Sequence, residues 1–161
     1  MLNYLCAESS MPPLLYPKSK ILIALYFNKR LNTMGTIAIE GMQFYAYHGY
    51  YKEERKKGNY FMVDVYLDLD FAKAGQDDAI QHTVNYEKVY AVCVRRMQKT
   101  HKLLETVCVQ IAEQLHRKYP EVKKTRVRIS KLHPPLSGPS QRFYVEHSIK
   151  RKMSKHKDLS F

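Results

Sequence analysis

Lys131 lies at a position in the chain where a lysine amine could do chemistry. It ends the segment Val127–Lys131, in which apolar and polar residues alternate with the two-residue period of a half-buried strand. Pro134 and Pro135 follow, and because proline fixes the backbone and lacks an amide donor, the strand must end before them. The amine would then be held at a fixed corner, where it could move protons. The alternative is an ordinary lysine whose stem lies along apolar surface.

Three further side chains could bind or act on a ligand. Glu105 follows Leu104 near the start of a predicted helix, where the dipole favours an anion, and its two oxygens match a planar pair of N–H donors. It could equally be an ordinary first-turn acid. Tyr86 follows Asn85, the predicted N-cap of another helix, and could offer its hydroxyl to a site or pack in the core. Glu54 lies among charged residues and by itself reads as solvated loop charge.

The motifs of many metal, phosphate and nucleophile sites are absent from the sequence. The seven histidines are scattered singly, and there is no Cys-x-x-Cys pair, no Gly-rich phosphate loop and no Gly-x-Ser-x-Gly elbow. Two of the three cysteines, Cys93 and Cys108, fall on apolar faces of predicted helices, as reduced core thiols of a cytoplasmic protein do. We therefore expect a cytoplasmic protein without a metal or cofactor, whose chemistry uses Lys, Glu, Tyr and the substrate's own electronics.

The elements that must position these side chains follow the order strand, strand, helix, helix, strand, strand. The second strand, around residues 60–70, alternates most clearly, and the second helix carries two apolar rows between Leu103 and Leu115 before Tyr119 and Pro120 end it. The polar stretches 51–59 and 74–82 are predicted as connecting loops. The sequence thus predicts an α+β fold, ββααββ, with a four-stranded, mostly antiparallel sheet and both helices on one face.

The other face of this sheet carries polar and aromatic residues and no predicted cover. The second strand places on it Tyr60, Tyr66 and the aspartates Asp64, Asp68 and Asp70. An amphiphilic open face with free sheet edges is commonly satisfied when strands of neighbouring subunits close a barrel. We therefore expect a homo-oligomer.

The two ends of the chain differ from its middle. Residues 1–33 are predicted to be a poorly ordered leader, 34–150 the folded domain and 151–161 a basic tail, with Met34 as an alternative start. The apolar run Ile21–Phe27 is too short to span a membrane, and no targeting signal is evident. Much of the formal net charge of +12 lies in these ends, so we expect neither a membrane nor a nucleic-acid partner.

Several short motifs occur in an order and spacing known from one enzyme family. They are Gly41–Gly49, then Glu54 and Gly58, then Thr83–Tyr86, then Leu103–Glu105, and finally Val127–Lys131 with Pro134, Pro135 and Gly138. Each motif is weak alone, but together they are specific. Over roughly Thr36 to Ile149 the chain resembles the dihydroneopterin aldolase family, in the tunnelling-fold group of pterin and purine enzymes.

This resemblance implies an activity. Members convert 7,8-dihydroneopterin into 6-hydroxymethyl-7,8-dihydropterin and glycolaldehyde by a retro-aldol cleavage in folate biosynthesis, with neither metal nor Schiff base. The C6=N5 imine of the pterin can accept the electrons that the broken carbon–carbon bond releases. Members can also epimerise the 2′ carbon of the side chain. The family further implies a homo-octamer of two stacked rings of four, with active sites between subunits.

The resemblance also implies a role for each candidate residue. Glu105 would bind the 2-amino and N3–H edge of the pterin, assisted by the backbone of Leu104. Lys131 would move protons between the side-chain hydroxyl, water and N5. Tyr86, from a neighbouring subunit, would assist protonation of the intermediate and contact the substrate, and Glu54 would contact the cleaved side chain.

Two alternatives stay open at this point. The basic run Arg55–Lys57 beside Glu54 could accommodate a phosphorylated substrate, as in the related dihydroneopterin triphosphate epimerase. In a different class, Arg126, Arg128 and surface tyrosines could form a stacking and phosphate platform of a basic RNA-binding module.

Overall fold

The computed structural model describes residues 33–151, which form one four-stranded sheet and four α-helices. The strands are β1 (Gly35–Ala46), β2 (Asn59–Leu69), β3 (Lys124–Leu132) and β4 (Arg142–Lys150). The helices are α1 (Lys52–Lys57), α2 (Ala72–Asp77), α3 (Tyr86–Met97) and α4 (Leu104–Lys118), with a 3-10 turn at Ile80–His82. Residues 1–32 and 152–161, which hold nearly all of the predicted leader and tail, lie outside the described residues.

The sheet is antiparallel throughout, in the order β1-β2-β3-β4. In the register of β2, Phe61 stands opposite Phe44 of β1 on one side and Lys131 of β3 on the other. A bulge interrupts β1 at Gly41, whose φ of 71° suits glycine, and the Gly41 amide donates to the Asp64 carboxylate at 2.7 Å. The predicted antiparallel sheet is confirmed.

The core lies between one face of the sheet and the two long helices. The alternating apolar residues of β2 are all buried: Phe61, Val63, Val65, Leu67 and Leu69. Helix α4 packs across β3 and β4, while α3 packs against α4 and β1. Each such side chain stabilises the fold by about 1.5–3 kcal/mol relative to an exposed position. The prediction that both helices cover one face is confirmed.

The uncovered face is polar, and two of its arginines contact neighbouring side chains. The Arg126 guanidinium lies 4.0 Å from the centre of the Tyr66 ring, and Arg128 donates two hydrogen bonds, at 2.9 and 2.8 Å, to one Glu146 oxygen. The Arg128 guanidinium also lies 4.7 Å from the ring centre of Tyr144. The two arginines of the predicted RNA platform therefore already have partners within the chain.

The two stretches predicted as loops both contain short helices. In residues 51–59, α1 forms because the Glu54 side chain accepts the Tyr51 amide at 3.0 Å, and Gly58, with φ of 74°, ends it. In residues 74–82, α2 and the 3-10 turn replace the predicted connector. Helices of six residues or fewer carry too little apolar periodicity to be found in a polar sequence.

The two cysteines predicted in the core lie there. Burial raises the pKa of the Cys93 and Cys108 thiols to about 12, and the Cys108 thiol donates to the Val127 carbonyl oxygen at 3.2 Å. Both are free thiols. Within residues 33–151, no helix is long and apolar enough to cross a bilayer.

The start of α3 is set by its cap, which leads to a first prediction. The Asn85 side chain accepts the amides of Glu87 at 2.9 Å and Lys88 at 3.3 Å. Asn85→Ala should lower the free energy of unfolding by about 1 kcal/mol, because two amides lose their acceptor. Asn85→Asp keeps the acceptor and should lie within about 0.3 kcal/mol of wild type in urea unfolding. Equal losses in both variants would contradict this role.

Candidate active site

A cavity opens where β3 leaves the sheet. Its volume is about 350 Å³. It contains two of the five residues singled out in the sequence, Glu54 and Lys131. The full lining is Glu53, Glu54, Lys57, Gly58, Asn59, Lys131, His133 and Pro135. Acidic and basic side chains therefore face one another in a space large enough for a small molecule.

Lys131 and Glu54 form an ion pair in this cavity. The Lys131 ammonium, on a residue only 8% exposed, donates to Oε1 of Glu54, which lies 77 positions earlier in the chain. The alternative interpretation of Lys131 as an ordinary surface lysine is therefore wrong. The interpretation of Glu54 as solvated loop charge is also wrong, because its carboxylate is partly buried and paired.

Backbone geometry before and within α1 places the Glu54 carboxylate. Its second oxygen accepts the Tyr51 amide at 3.0 Å, and the Arg55 guanidinium donates to the Gly49 carbonyl oxygen at 2.7 Å. Gly49 passes so close that a Cβ atom there would lie 2.6 Å from Cβ of Glu54. Only glycine leaves room for the carboxylate at this position.

The Glu54 carboxylate is ionised at neutral pH. Burial by itself would raise the pKa of Glu54, but the hydrogen bond from Lys131, the Tyr51 amide and the lysine charge together outweigh it, and the pKa is lowered. Within the cavity, the Glu54 carboxylate, which can accept hydrogen bonds, thus lies beside the Lys131 amine, which can donate protons. This is an arrangement for proton transfer to a bound polar molecule.

His133 was missed in the sequence as a member of the site. It follows β3, adopts a left-handed backbone conformation with φ of 48°, and lines the cavity beside Pro135. Its amide donates to the Gln141 carbonyl oxygen at 3.1 Å, which closes the loop before β4. The available signal was a histidine, a residue type enriched in this conformation, directly before two prolines.

The other three predicted site residues lie apart from this cavity in the single chain. Leu104 and Glu105 form the first turn of α4, the first buried and the second exposed. Tyr86 is the first residue of α3 and is 62% exposed. The structure therefore brings together Glu54 and Lys131, and leaves Glu105, Leu104 and Tyr86 outside the lining of their cavity.

A buried histidine connects the loop before α1 with the loop before α4. Nδ1 of His48 accepts the His101 amide at 3.2 Å, and the Gly49 amide donates to the His101 carbonyl oxygen at 3.1 Å. Burial and the neighbouring His101 lower the pKa of His48 to about 4. Within residues 33–151, no three His, Cys, Asp or Glu side chains are grouped so that they could hold a metal ion.

Comparison with known proteins identifies the family. A family model described as FolB, dihydroneopterin aldolase, matches residues 37–148. The dihydroneopterin aldolase of Bacillus subtilis (strain 168) is 38% identical to the chain over 119 residues, which are 73% of this chain and 99% of that protein. The chain belongs to the dihydroneopterin aldolase family. The resemblance found in the motifs is confirmed.

Solved structures of this family share the fold. A Vibrio cholerae protein described as a dihydroneopterin aldolase matches with a TM-score of 0.67 and 21% identity, over 74% of this chain and 99% of that one. The Escherichia coli dihydroneopterin aldolase in complex with neopterin matches with a TM-score of 0.63 and 19% identity, over 70% and 98% of the two chains. The predicted tunnelling fold is confirmed.

The lowered pKa of His48 leads to a prediction for stability against pH. The unfolded chain takes up a proton near pH 6.5 and the folded chain only near pH 4, so the neutral ring stabilises the fold above pH 6.5. That contribution, on the order of 2 to 3 kcal/mol, should be lost as the pH falls from 6.5 to about 4. The ring of His101 lies 6.1 Å away, and burial together with Lys99 and Arg96 lowers its pKa as well. Its titration therefore also lowers the stability of the fold as the pH falls.

The measurement is urea unfolding of wild type and His48→Leu across this pH interval. The loss of stability on acidification should be smaller in the variant, because the buried imidazole is gone. The lowered pKa of Glu54 acts mainly below its ordinary value of 4.5 and is common to both proteins. Parallel curves for the two proteins would contradict the prediction.

Proposed function

We propose that this protein is a dihydroneopterin aldolase, a lyase that cleaves 7,8-dihydroneopterin into 6-hydroxymethyl-7,8-dihydropterin and glycolaldehyde in folate biosynthesis. The observation that carries the proposal is the buried Lys131–Glu54 pair in a cavity of a chain that belongs to this family. Neopterin, which the Escherichia coli structure holds, is the oxidised form of such a substrate.

The chemistry is a retro-aldol cleavage in which the pterin itself accepts the electrons. The C2′ hydroxyl loses its proton, the C1′–C2′ bond breaks, and the electron pair moves to C6=N5, which takes up a proton at N5. Glycolaldehyde leaves, C1′ is then protonated, and N5 gives up its proton again. Epimerisation at C2′ follows if C1′ attacks the opposite face of the glycolaldehyde carbonyl before C1′ is protonated.

The residues of the cavity suit the proton movements of this reaction. The Lys131 ammonium would donate towards N5 and stabilise the charge that develops on the ring, and it would exchange protons with water and the hydroxyl. The Glu54 carboxylate, anionic because its pKa is lowered, would accept a hydrogen bond from a side-chain hydroxyl. Because the imine is the electron acceptor, no metal or cofactor is required.

Glu105, Leu104 and Tyr86 would bind the pterin ring and complete the site. The exposed Glu105 carboxylate in the first turn of α4 suits the N–H donors of the 2-amino and N3 edge, with the Leu104 backbone beside it. Tyr86, 62% exposed, would reach the site of a neighbouring subunit and assist protonation of the intermediate. The open polar face and free edges of the sheet support a homo-oligomer, for which we propose an octamer.

The remaining proposals concern the ends of the chain and its location. We propose residues 34–150 as the aldolase domain, with 1–33 as an extension and 151–161 as a basic tail. The buried, free thiols of Cys93 and Cys108 support a cytoplasmic location.

A triphosphate epimerase is the less favoured enzymatic alternative. The basic run that motivated it is partly occupied, because the Arg55 guanidinium donates to the carbonyl oxygens of Gly49 and Tyr50. Glu53 also lines the cavity together with Lys57, so its acidic and basic side chains are balanced. A triphosphate would meet no excess of positive charge there.

The decisive test is an assay of purified protein with 7,8-dihydroneopterin and a chelator, followed by chromatography of the products. Glycolaldehyde should form at the same rate with and without the chelator. Lys131→Ala should lower kcat by about 10²- to 10⁴-fold, because the proton donor is lost. Glu105→Ala should mainly raise KM.

Matched controls for this assay lie on the same elements. Lys124→Ala, at the other end of β3, and Glu113→Ala, on the exposed side of α4, should leave both constants near wild type. Absence of glycolaldehyde from the wild-type reaction, or loss of activity on chelation, would overturn the proposed function.

The substrate preference gives a separate prediction. Because the cavity carries balanced charge, kcat/KM for dihydroneopterin triphosphate should be at least about tenfold below that for dihydroneopterin. Parallel reactions with the two substrates, resolved by chromatography, measure this ratio. The reverse preference would reassign the protein as a triphosphate epimerase.

A further inference from the structure

His48 and the adjacent Gly49 contact residues close to three of the proposed site residues, Glu54, Leu104 and Lys131. His48 lies six positions before Glu54, is 1% exposed, and packs its ring against Phe61 and His101. The reaction as described does not use its side chain. Its contacts nevertheless join three separate segments.

The first contact is a pair of hydrogen bonds in opposite directions between residues 48–49 and His101, which we call the clamp. The His101 amide donates to Nδ1 of His48, and the Gly49 amide donates back to the His101 carbonyl oxygen. Gly49 in turn lies against the Glu54 side chain, while His101 precedes Leu104 by three residues. The clamp therefore joins the loop that positions Glu54 to the loop that begins α4.

The second contact joins the histidine to β2, the strand that pairs with the one carrying Lys131. The His48 ring meets the Phe61 ring edge-on, with 5.4 Å between ring centres. Phe61 is fully buried and stands directly opposite Lys131 in the pairing of β2 with β3. A shift of the His48 ring would thus move Phe61 and, through the strand pairing, the backbone of Lys131.

We propose that His48 is a positioning residue, which sets the distance between the Glu54–Lys131 pair and the Leu104–Glu105 turn. The inference rests on the proposed function, because it concerns residues expected to bind opposite ends of one pterin. Glu105 would hold the ring edge while Glu54 and Lys131 act on N5 and the side chain, so the spacing between them must match the ligand. Misplacement by about 1 Å can cost about 10²-fold in rate.

The hydrogen bond identifies Nδ1 as the atom of His48 that holds the loop before α4. Nδ1 accepts a backbone amide, so the ring is neutral with its proton on Nε2, and the lowered pKa keeps it so at neutral pH. Asparagine can place an oxygen near the position of Nδ1. Glutamine reaches instead towards the position of Nε2. The two amides therefore form a matched pair, since both are polar and only one restores the acceptor.

The experiment compares His48→Asn and His48→Gln in the dihydroneopterin assay at a temperature where thermal melts show both folded. His48→Gln should lower kcat by about 10²-fold with a smaller change in KM, and His48→Asn should recover most of that loss. The control is His116→Leu, which removes a histidine paired with Thr125 at 3.1 Å in the half of α4 remote from Glu105. It should lower the melting temperature and leave kcat near wild type.

A crystal structure of His48→Gln gives a readout that does not depend on activity. The distance between the Gly49–Glu54 loop and the first turn of α4 should differ from that in wild type by about 1 Å. Unchanged spacing, equal activity of the two His48 variants, or an equal loss of kcat in His116→Leu would overturn the inference. If wild type forms no glycolaldehyde, the proposed function fails, and the crystal structures still decide whether His48 sets the spacing.

Discussion

A lysine buried at the edge of the sheet needs a partner for its charge, and the site is arranged around that need. An unpaired ammonium in the position of Lys131 would cost several kcal/mol, which the Glu54 carboxylate offsets by ion pairing and hydrogen bonding. The partner comes from α1, a helix of only six residues. Whatever holds α1 in place therefore also determines where the Lys131 amine is held.

The scaffold meets this requirement through β2 and the loops at one end of it. β2 pairs with both β1 and β3, and its buried apolar face anchors the sheet to α3 and α4. At its Phe61 end, the ring of His48 packs between the strands and the loop before α4. Gly49 then brings the backbone close enough for Glu54 to enter the cavity. Core packing and site geometry thus share the same residues.

Much of the fold was predictable because it depends on local periodicity. The alternation in β2, the cap at Asn85 and the stop at Tyr119 are properties of neighbouring residues, and each proved correct. The short helices were not predictable in this way, because α1 is stabilised by a side chain of its own first turn and by a lysine distant in sequence. Lys131 could be singled out by its strand and the prolines, whereas no local pattern identified Glu54.

The sequence by itself determined the family, the element order and the residue types available for chemistry, because motifs and periodicity are written in consecutive positions. Only the tertiary structure decided that Glu54 is the partner of Lys131, that His133 faces the same cavity, and that His48 joins the segments around it. These relations join residues far apart in the chain, and their energies depend on burial and distance, which exist only after the sheet and helices have packed.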